Sequence, residues 1–287
     1  MQKKILKQYY FIVLHIFGLI GFLFTFVFIG MQFNLFSVKG SIAERNSFFK
    51  NTASTTPIKV DDYRCTDGTK VCDIFLTPEW QTVSYGLQKD APVLERVSKE
   101  TGVPVRLLVS LAVPEQLRFF SSERDVYKKY FEPLKILGSM SQFSLGVTGI
   151  KPHTAEEIEN NLVSTTSPYY LGKDFETKLS YNEGEDRDKE QFARLTNSKD
   201  HYYSYLYTAF FIKQIDSAWV RAGFPIAKNN EGVYATLFNL GFAKSRPNAN
   251  PKIGGAFIKI GGRNYTYGEI AARFLESEEL IKQFPKE

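Results

Sequence analysis

Residues 9–31 read YYFIVLHIFGLIGFLFTFVFIGM, without a single Lys, Arg, Asp or Glu. At about 1.5 Å rise per residue, a helix of that length matches the roughly 30 Å hydrocarbon core of a bilayer. A secretory leader has a shorter apolar stretch of about 7–15 residues and a small-residue cleavage site. No A-x-A pattern follows Met31, so the run is expected to be an uncleaved single-pass anchor. Lys3, Lys4 and Lys7 precede it, and the first basic residue after it is Lys39. That asymmetry keeps residues 1–8 cytoplasmic and exports everything beyond the span. His15, inside the run, is expected to be a neutral residue near one end. Residues 32–57, which include NTASTTP, read as a linker, and residues 58–287 as one exported domain.

The exported part has the composition of a folded domain: over the chain, 43% of residues are hydrophobic and 23% charged. The formal net charge of +5 suits an anionic neighbourhood such as a membrane surface or cell wall. No basic run with interleaved aromatics occurs in the polar part, so a nucleic-acid partner is not expected. Cys65 and Cys72 flank TDGTKV, between two strand-like runs around an Asp67-Gly68 turn. A hairpin over residues 58–76 would set them opposite each other, a spacing that permits a disulfide in an oxidising compartment. Two cysteines without a further Cys or His neighbour make a poor zinc site.

Downstream the periodicity is helical. APVLERVSKETGV spaces its apolar residues at helical intervals, with Gly102 where such a helix stops. Pro104 stands at the start of PVRLLVSLAVPEQLRFF, whose Val105–Val113 stretch suits a buried helix. Pro114 is expected to break or kink that helix just before Glu115. TAEEIENNL carries a Thr154-x-x-Glu157 capping box. The charged segment 182–200 reads as an exposed loop or solvated helix, and residues 201–223 as a long aromatic helix closing at Gly223. EGVYATLFNLGF reads as another buried helix. GGAFIKIGGRNYTYGEIAARFL offers two short strands around Gly261-Gly262 and a closing helix. The fold class is therefore mainly α (α+β), with small β-hairpins at the margins.

Glu115 is the residue that asks for an explanation. It sits in LAVPEQLRFF, a carboxylate inside an apolar run, where burial without a partner is costly. It is either a surface residue at a helix end or an acid whose proton affinity is raised by its surroundings.

GVPVRLLVSLAVPEQLRF resembles the segment around the catalytic glutamate of lytic transglycosylases of the lysozyme-like superfamily, where a helix reads GVDPxLLLAIAxxES. Glu115 matches the catalytic position, and Gln116 stands where the family usually has Ser. GVTGIKPHTAEEI resembles the family's GLMQIMPxTAxxI, with Gly146, Ile150, Pro152, Thr154, Ala155 and Ile158 in register and Gly149 in place of the usual Gln. YATLFNLGF resembles AxxAYNAG, with Asn239 and Gly241 aligned. The three occur in the family order, over residues 92–275. Glu115 and Gly146 are 31 positions apart, Gly146 and Asn239 93, so insertions are expected, one of them including the charged segment. GGRNYTYG only distantly resembles the family's ETRxYV, through Tyr265.

The resemblance implies a lysozyme-like transglycosylase domain on the periplasmic, extracytoplasmic side of a bacterial cytoplasmic membrane. Its partner would be the glycan strands of peptidoglycan, and it would need no cofactor and no metal. Glu115 would be the single acid/base. Gln116, Gly146, Val147, Thr148, Gly149, Ile150, Tyr234, Asn239 and Tyr265 would line the substrate cleft. Asn239 has the alternative of a capping or buried structural role, and Phe120, Tyr234 and Phe238 are either sugar-stacking or core aromatics. A hydrolytic variant would need a second carboxylate, for which Glu123 and Asp125 are placed. A non-catalytic wall-binding protein is the third reading, motivated by Gln116 and Gly149. A serine hydrolase is disfavoured by the lack of G-x-S-x-G. The glycines of GGAFIKIGG lack the context of a phosphate loop.

Overall fold

The computed structural model describes residues 15, 17–23, 25–26, 74–119, 146–197 and 199–286. Residues 58–73 of the expected hairpin 58–76, the Cys65–Cys72 pair, the linker 32–57, and Phe120, Glu123 and Asp125 lie outside these residues; the last three hairpin positions, Ile74–Leu76, form a 3-10 turn and not the end of a strand. So does most of the apolar run 9–31. Its described residues are helical, with Phe17, Leu19, Ile20, Phe22, Leu23 and Phe26 exposed. Among the described residues, no helix is long and apolar enough to cross a membrane.

The fold is mainly helical, with one two-stranded antiparallel sheet among the described residues. A 3-10 turn at Ile74–Leu76 leads into α1 (Pro78–Lys89) and α2 (Ala91–Thr101). α2 ends at Gly102, whose φ of 72° is the left-handed conformation that glycine adopts without strain. α3 (Val105–Phe119) follows Pro104. After residues 120–145 come α4 (Pro152–Val163), α5 (Arg187–Thr196), α6 (Tyr202–Arg221) and α7 (Gly232–Leu240). The chain closes with β1 (Phe257–Ile260), β2 (Arg263–Thr266) and α8 (Tyr267–Glu276). The hairpin and closing helix agree with the sequence reading. Ile258 pairs with Tyr265, and the Thr266/Glu269 capping box starts α8.

Two helices organise the core. α6 is buried along most of its length, with Tyr205, Phe210, Phe211, Ile215 and Trp219 fully covered. Burial of side chains this large contributes roughly 1.5–3 kcal/mol each before entropy is counted. α3 lies chiefly against α8, and also meets α1, α2, α6, α7 and β1. Arg106, in its first turn and 3% exposed, donates to five carbonyls: Phe274, Leu275, Ser277, Glu279 and Phe284. A helix C-terminus leaves its last carbonyls without intrahelical donors, and here one planar guanidinium supplies them. α3 is thereby held to the end of the chain.

Two local expectations are corrected. Pro114 does not end the helix: α3 runs through it to Phe119. Its missing N–H costs the usual bond to the Ser110 carbonyl, but packing of α3 on six other elements outweighs that local penalty. Thr154 is not an N-cap, because α4 begins two residues earlier, with Pro152 in the first turn and Lys151 as the cap residue. Proline presets the φ of a first helical position, so the helix starts there. Segment 182–200 is largely exposed, as expected, and its residues Arg187–Thr196 form α5, which buries Gln191, Leu195 and Thr196.

Candidate functional site

Glu115 lies in the last third of α3 and is 2% exposed. Its sequence neighbours Leu111, Ala112, Val113 and Leu117 are buried with it. The fold brings residues 146–150 onto it. These form a tight turn, closed by Gly149 N–H donating to the Gly146 carbonyl at 3.2 Å. Both glycines have φ of +67°. Contact as well as conformation requires them. A Cβ on Gly146 would stand 2.5 Å from the Leu195 carbonyl oxygen and overlap Ser204 Oγ. A Cβ on Gly149 would stand 2.5 Å from Glu115 Cγ and collide with its carboxyl group. The main chain of Gly149 therefore lies directly against the acid. The space a side chain at 149 would need is filled by Glu115 itself.

The rest of the turn is anchored inward. Val147, Thr148 and Ile150 are buried, and Thr148 Oγ1 donates to the Ser204 carbonyl at 3.3 Å. Gln116, 1% exposed, donates from Nε2 to the Val147 carbonyl, clamping the turn to α3 beside Glu115. Its Oε1 is buried and has no hydrogen-bond partner among the described residues. A buried orphan acceptor costs about 1–3 kcal/mol, so Gln116 is held at some expense to stability.

The remaining predicted residues are placed differently. Asn239, half-buried at the end of α7, accepts through Oδ1 from Ala256 N–H at 2.9 Å and ties the approach of β1 to that helix. Gly255, at φ 98°, packs over it. Asn239 thus holds a loop by a structural bond. Tyr234 is a core side chain whose hydroxyl donates to Asp216 at 2.6 Å. Phe238 packs edge-on against Phe211. Tyr265 is 1% exposed, with the Arg273 guanidinium 5.3 Å from its ring centre. His153 is a surface residue 3.7 Å from Glu157.

Sequence reasoning missed Tyr267 and three cations, Arg118, Lys151 and Lys244. Tyr267, not Tyr265, reaches the helix of the acid. Its hydroxyl donates to the Leu111 carbonyl at 3.0 Å, one turn before Glu115. The two tyrosines are two positions apart, so strand alternation aims them alike. Only the hairpin register, which ends β2 at Thr266, separates them. Arg118, one turn beyond Glu115 on α3, is pushed below its ordinary pKa by burial, with the Tyr267 phenol opposing. Lys151, two residues past Gly149, is pushed down first by burial and then by the like charges of Arg118 and Lys244. Lys244 is exposed in the 3-10 turn Phe242–Lys244 after α7.

Among the described residues, no group of three or more His, Cys, Asp or Glu side chains could hold a metal ion. A groove of about 480 Å³ is lined by Phe75, Leu76, Arg273, Glu276 and Ser277. Its lining shares no residue with the Glu115 turn. No family model, no curated protein and no solved structure matches the chain.

Proposed function

We propose that the chain is a membrane-anchored lytic transglycosylase with a lysozyme-like domain that cleaves peptidoglycan outside the cytoplasmic membrane. One observation carries the reading. Two segments that resemble motifs of that family, 31 positions apart in sequence, meet in space, with Gly149 of the second directly on the carboxyl of Glu115 in the first. Glu115 is buried, at 2% exposure, and in this reading it carries a proton when the glycan arrives.

In this reading protonated Glu115 gives its proton to the oxygen linking N-acetylmuramic acid to N-acetylglucosamine. The C1–O bond breaks through an oxocarbenium-like state. The C6 hydroxyl of the same muramic sugar then attacks C1, and its proton returns to Glu115. The product carries a 1,6-anhydro ring and no water is consumed. The intramolecular attack has the advantage of proximity, so one carboxyl group serves both proton transfers. Gln116 and the 146–150 turn position the acid, and Tyr267 braces the helix one turn away.

Mass spectrometry of purified peptidoglycan digested with the full-length chain tests the proposal. Glycan ends with 1,6-anhydromuramic acid are expected, and Glu115→Gln with an intact fold should lower their rate about 10²–10⁴-fold. Reducing ends instead would make the enzyme a hydrolase. Glycan binding without turnover would make it a wall-binding protein.

A further inference from the structure

We propose that the β1–β2 hairpin and the segment leading into it form a second membrane contact, a surface that lies on anionic phospholipid. The proposal rests on the membrane-anchored reading above and adds where the folded domain meets the bilayer.

The first observation is a concentration of charge. Residues 232–268 hold Lys244, Arg246, Lys252, Lys259 and Arg263 and not one Asp or Glu, so this stretch alone carries a charge equal to the net +5 of the whole chain. All five are exposed, and none of them forms a salt bridge among the described residues. Glu269, the acid that ends the stretch, is engaged elsewhere. Its Oε2 accepts from Thr266 N–H in the capping box of α8, and its Oε1 pairs with Arg273 at 3.1 Å.

The second observation is apolar surface in the same place. Strand alternation buries Ile258 and Ile260 and turns Phe257 and Lys259 outward, in register with Thr266 and Asn264. Phe257 is 74% exposed, more than any other large apolar side chain among the described residues. Ile253, next to Lys252, is exposed as well, and so is Leu240 at the end of α7. The Asn239–Ala256 hydrogen bond joins the two residues that precede Leu240 and Phe257, which draws the end of α7 to the start of β1.

A partner has to satisfy both features. A hydrated polyanion would meet the cations but offer Phe257 no apolar phase. A bilayer with anionic headgroups offers both: the ring enters the boundary of the acyl chains while Lys252, Lys259 and Arg263 reach the phosphates. Each Lys or Arg near such a surface contributes about fivefold in partitioning. A span at residues 9–31 would already hold the domain at high effective concentration beside the lipid, so a weak patch suffices. β2 runs directly into α8, whose Tyr267 donates to the Leu111 carbonyl on α3. A docked hairpin would therefore fix how α3, and Glu115 with it, faces the bilayer.

The test is the full-length Phe257→Trp chain reconstituted into vesicles with brominated acyl chains, either phosphatidylcholine alone or mixed with phosphatidylglycerol. The wild-type chain, whose Trp80 and Trp219 are buried, supplies the background. Bromine should quench the new tryptophan on the anionic vesicles and leave it bright on the neutral ones. The quenching should vanish in about 1 M salt, where the Debye length is about 3 Å. It should also vanish when Lys252→Gln, Lys259→Gln and Arg263→Gln are added, about a 10²-fold loss of partitioning, while the chain still floats with the vesicles. Equal quenching on both lipids, or none on either, overturns the contact. So does shielding of the tryptophan in detergent that grows with protein concentration, which would give the face to a second copy. Polyphosphate that binds the patch while the tryptophan stays bright on anionic vesicles would make the partner a soluble polyanion and overturn it too. A wild-type chain that leaves the vesicles in high salt overturns the anchored reading instead, and the salt-sensitive quenching on anionic vesicles then judges the contact separately.

Discussion

Glu159 and Glu115 are both buried carboxylates, 7% and 2% exposed, yet the fold surrounds them with different chemistry. Glu159, on α4, is saturated by side-chain donors. Tyr181, Tyr207 and Gln191 donate to its Oε1, and Arg187 reaches Oε2 at 2.7–2.8 Å. Those donors come from α5, α6 and the segment before α5, so one carboxylate knots three parts of the chain. Burial and then Glu159 push the Tyr181 hydroxyl up to about 12 and drive Tyr207 far above its ordinary range, so both remain protonated donors. Glu115 sits on an apolar stretch of α3, with the glycine main chain of a turn pressed to it. A carboxylate locked in a net of donors has little freedom to exchange a proton with a substrate.

The contrast predicts opposite responses to substitution. Glu159→Ala should cost about 3–5 kcal/mol, because it leaves buried hydroxyls and a guanidinium without their acceptor. Glu115→Gln should move the same denaturation midpoint by less than about 1 kcal/mol while removing activity. If both variants were equally unstable, Glu115 would be another structural knot. Gly149→Ala comes next, at about 1–3 kcal/mol, from its left-handed backbone and its collision with Glu115. Product formation should fall with it, and a variant of normal activity would show that the acid need not occupy its present place.

Gln116→Leu is expected to be smaller still. It loses the clamp on Val147 but also removes an orphan acceptor, so stability should change by about 1 kcal/mol or less. The product rate should drop disproportionately if the clamp positions Glu115. A rate that merely tracked stability would assign Gln116 to packing. The smallest effect is at a third, more exposed carboxylate. Glu100 on α2 is held below its ordinary range first by the Tyr202 hydroxyl, at 2.5 Å, and then by Arg96. A depressed folded value means that its contribution is complete above the unfolded value of about 4.3 and is lost as pH falls through the folded one. The stability gap between the chain and Tyr202→Phe should therefore be constant near neutral pH and close below about pH 4 in acid titrations of unfolding.

Much of this architecture is legible in the sequence, because its signals are local. Gly102 and Gly223 mark helix ends, and Gly261-Gly262 marks the turn between β1 and β2. What misleads is also local. Pro114 and the Thr154-x-x-Glu157 pattern are sound signals in an isolated peptide, and both yield to packing or to a better helix start two residues away. At the site, Glu115 and the glycines of the turn are visible as a pattern. The charges that bear on Lys151 are not, because Arg118 and Lys244 are scattered over the chain and each alone looks like a surface charge.

Helix periods, glycine stops and one carboxylate set among apolar residues belong to the chain itself, since each depends on neighbours a few positions away. Which tyrosine meets α3 and why residue 149 has no side chain depend on atoms far apart in sequence. Those contacts exist only once α3, α4, α7 and α8 have packed, because excluded volume and Coulomb forces act through space and not along the backbone.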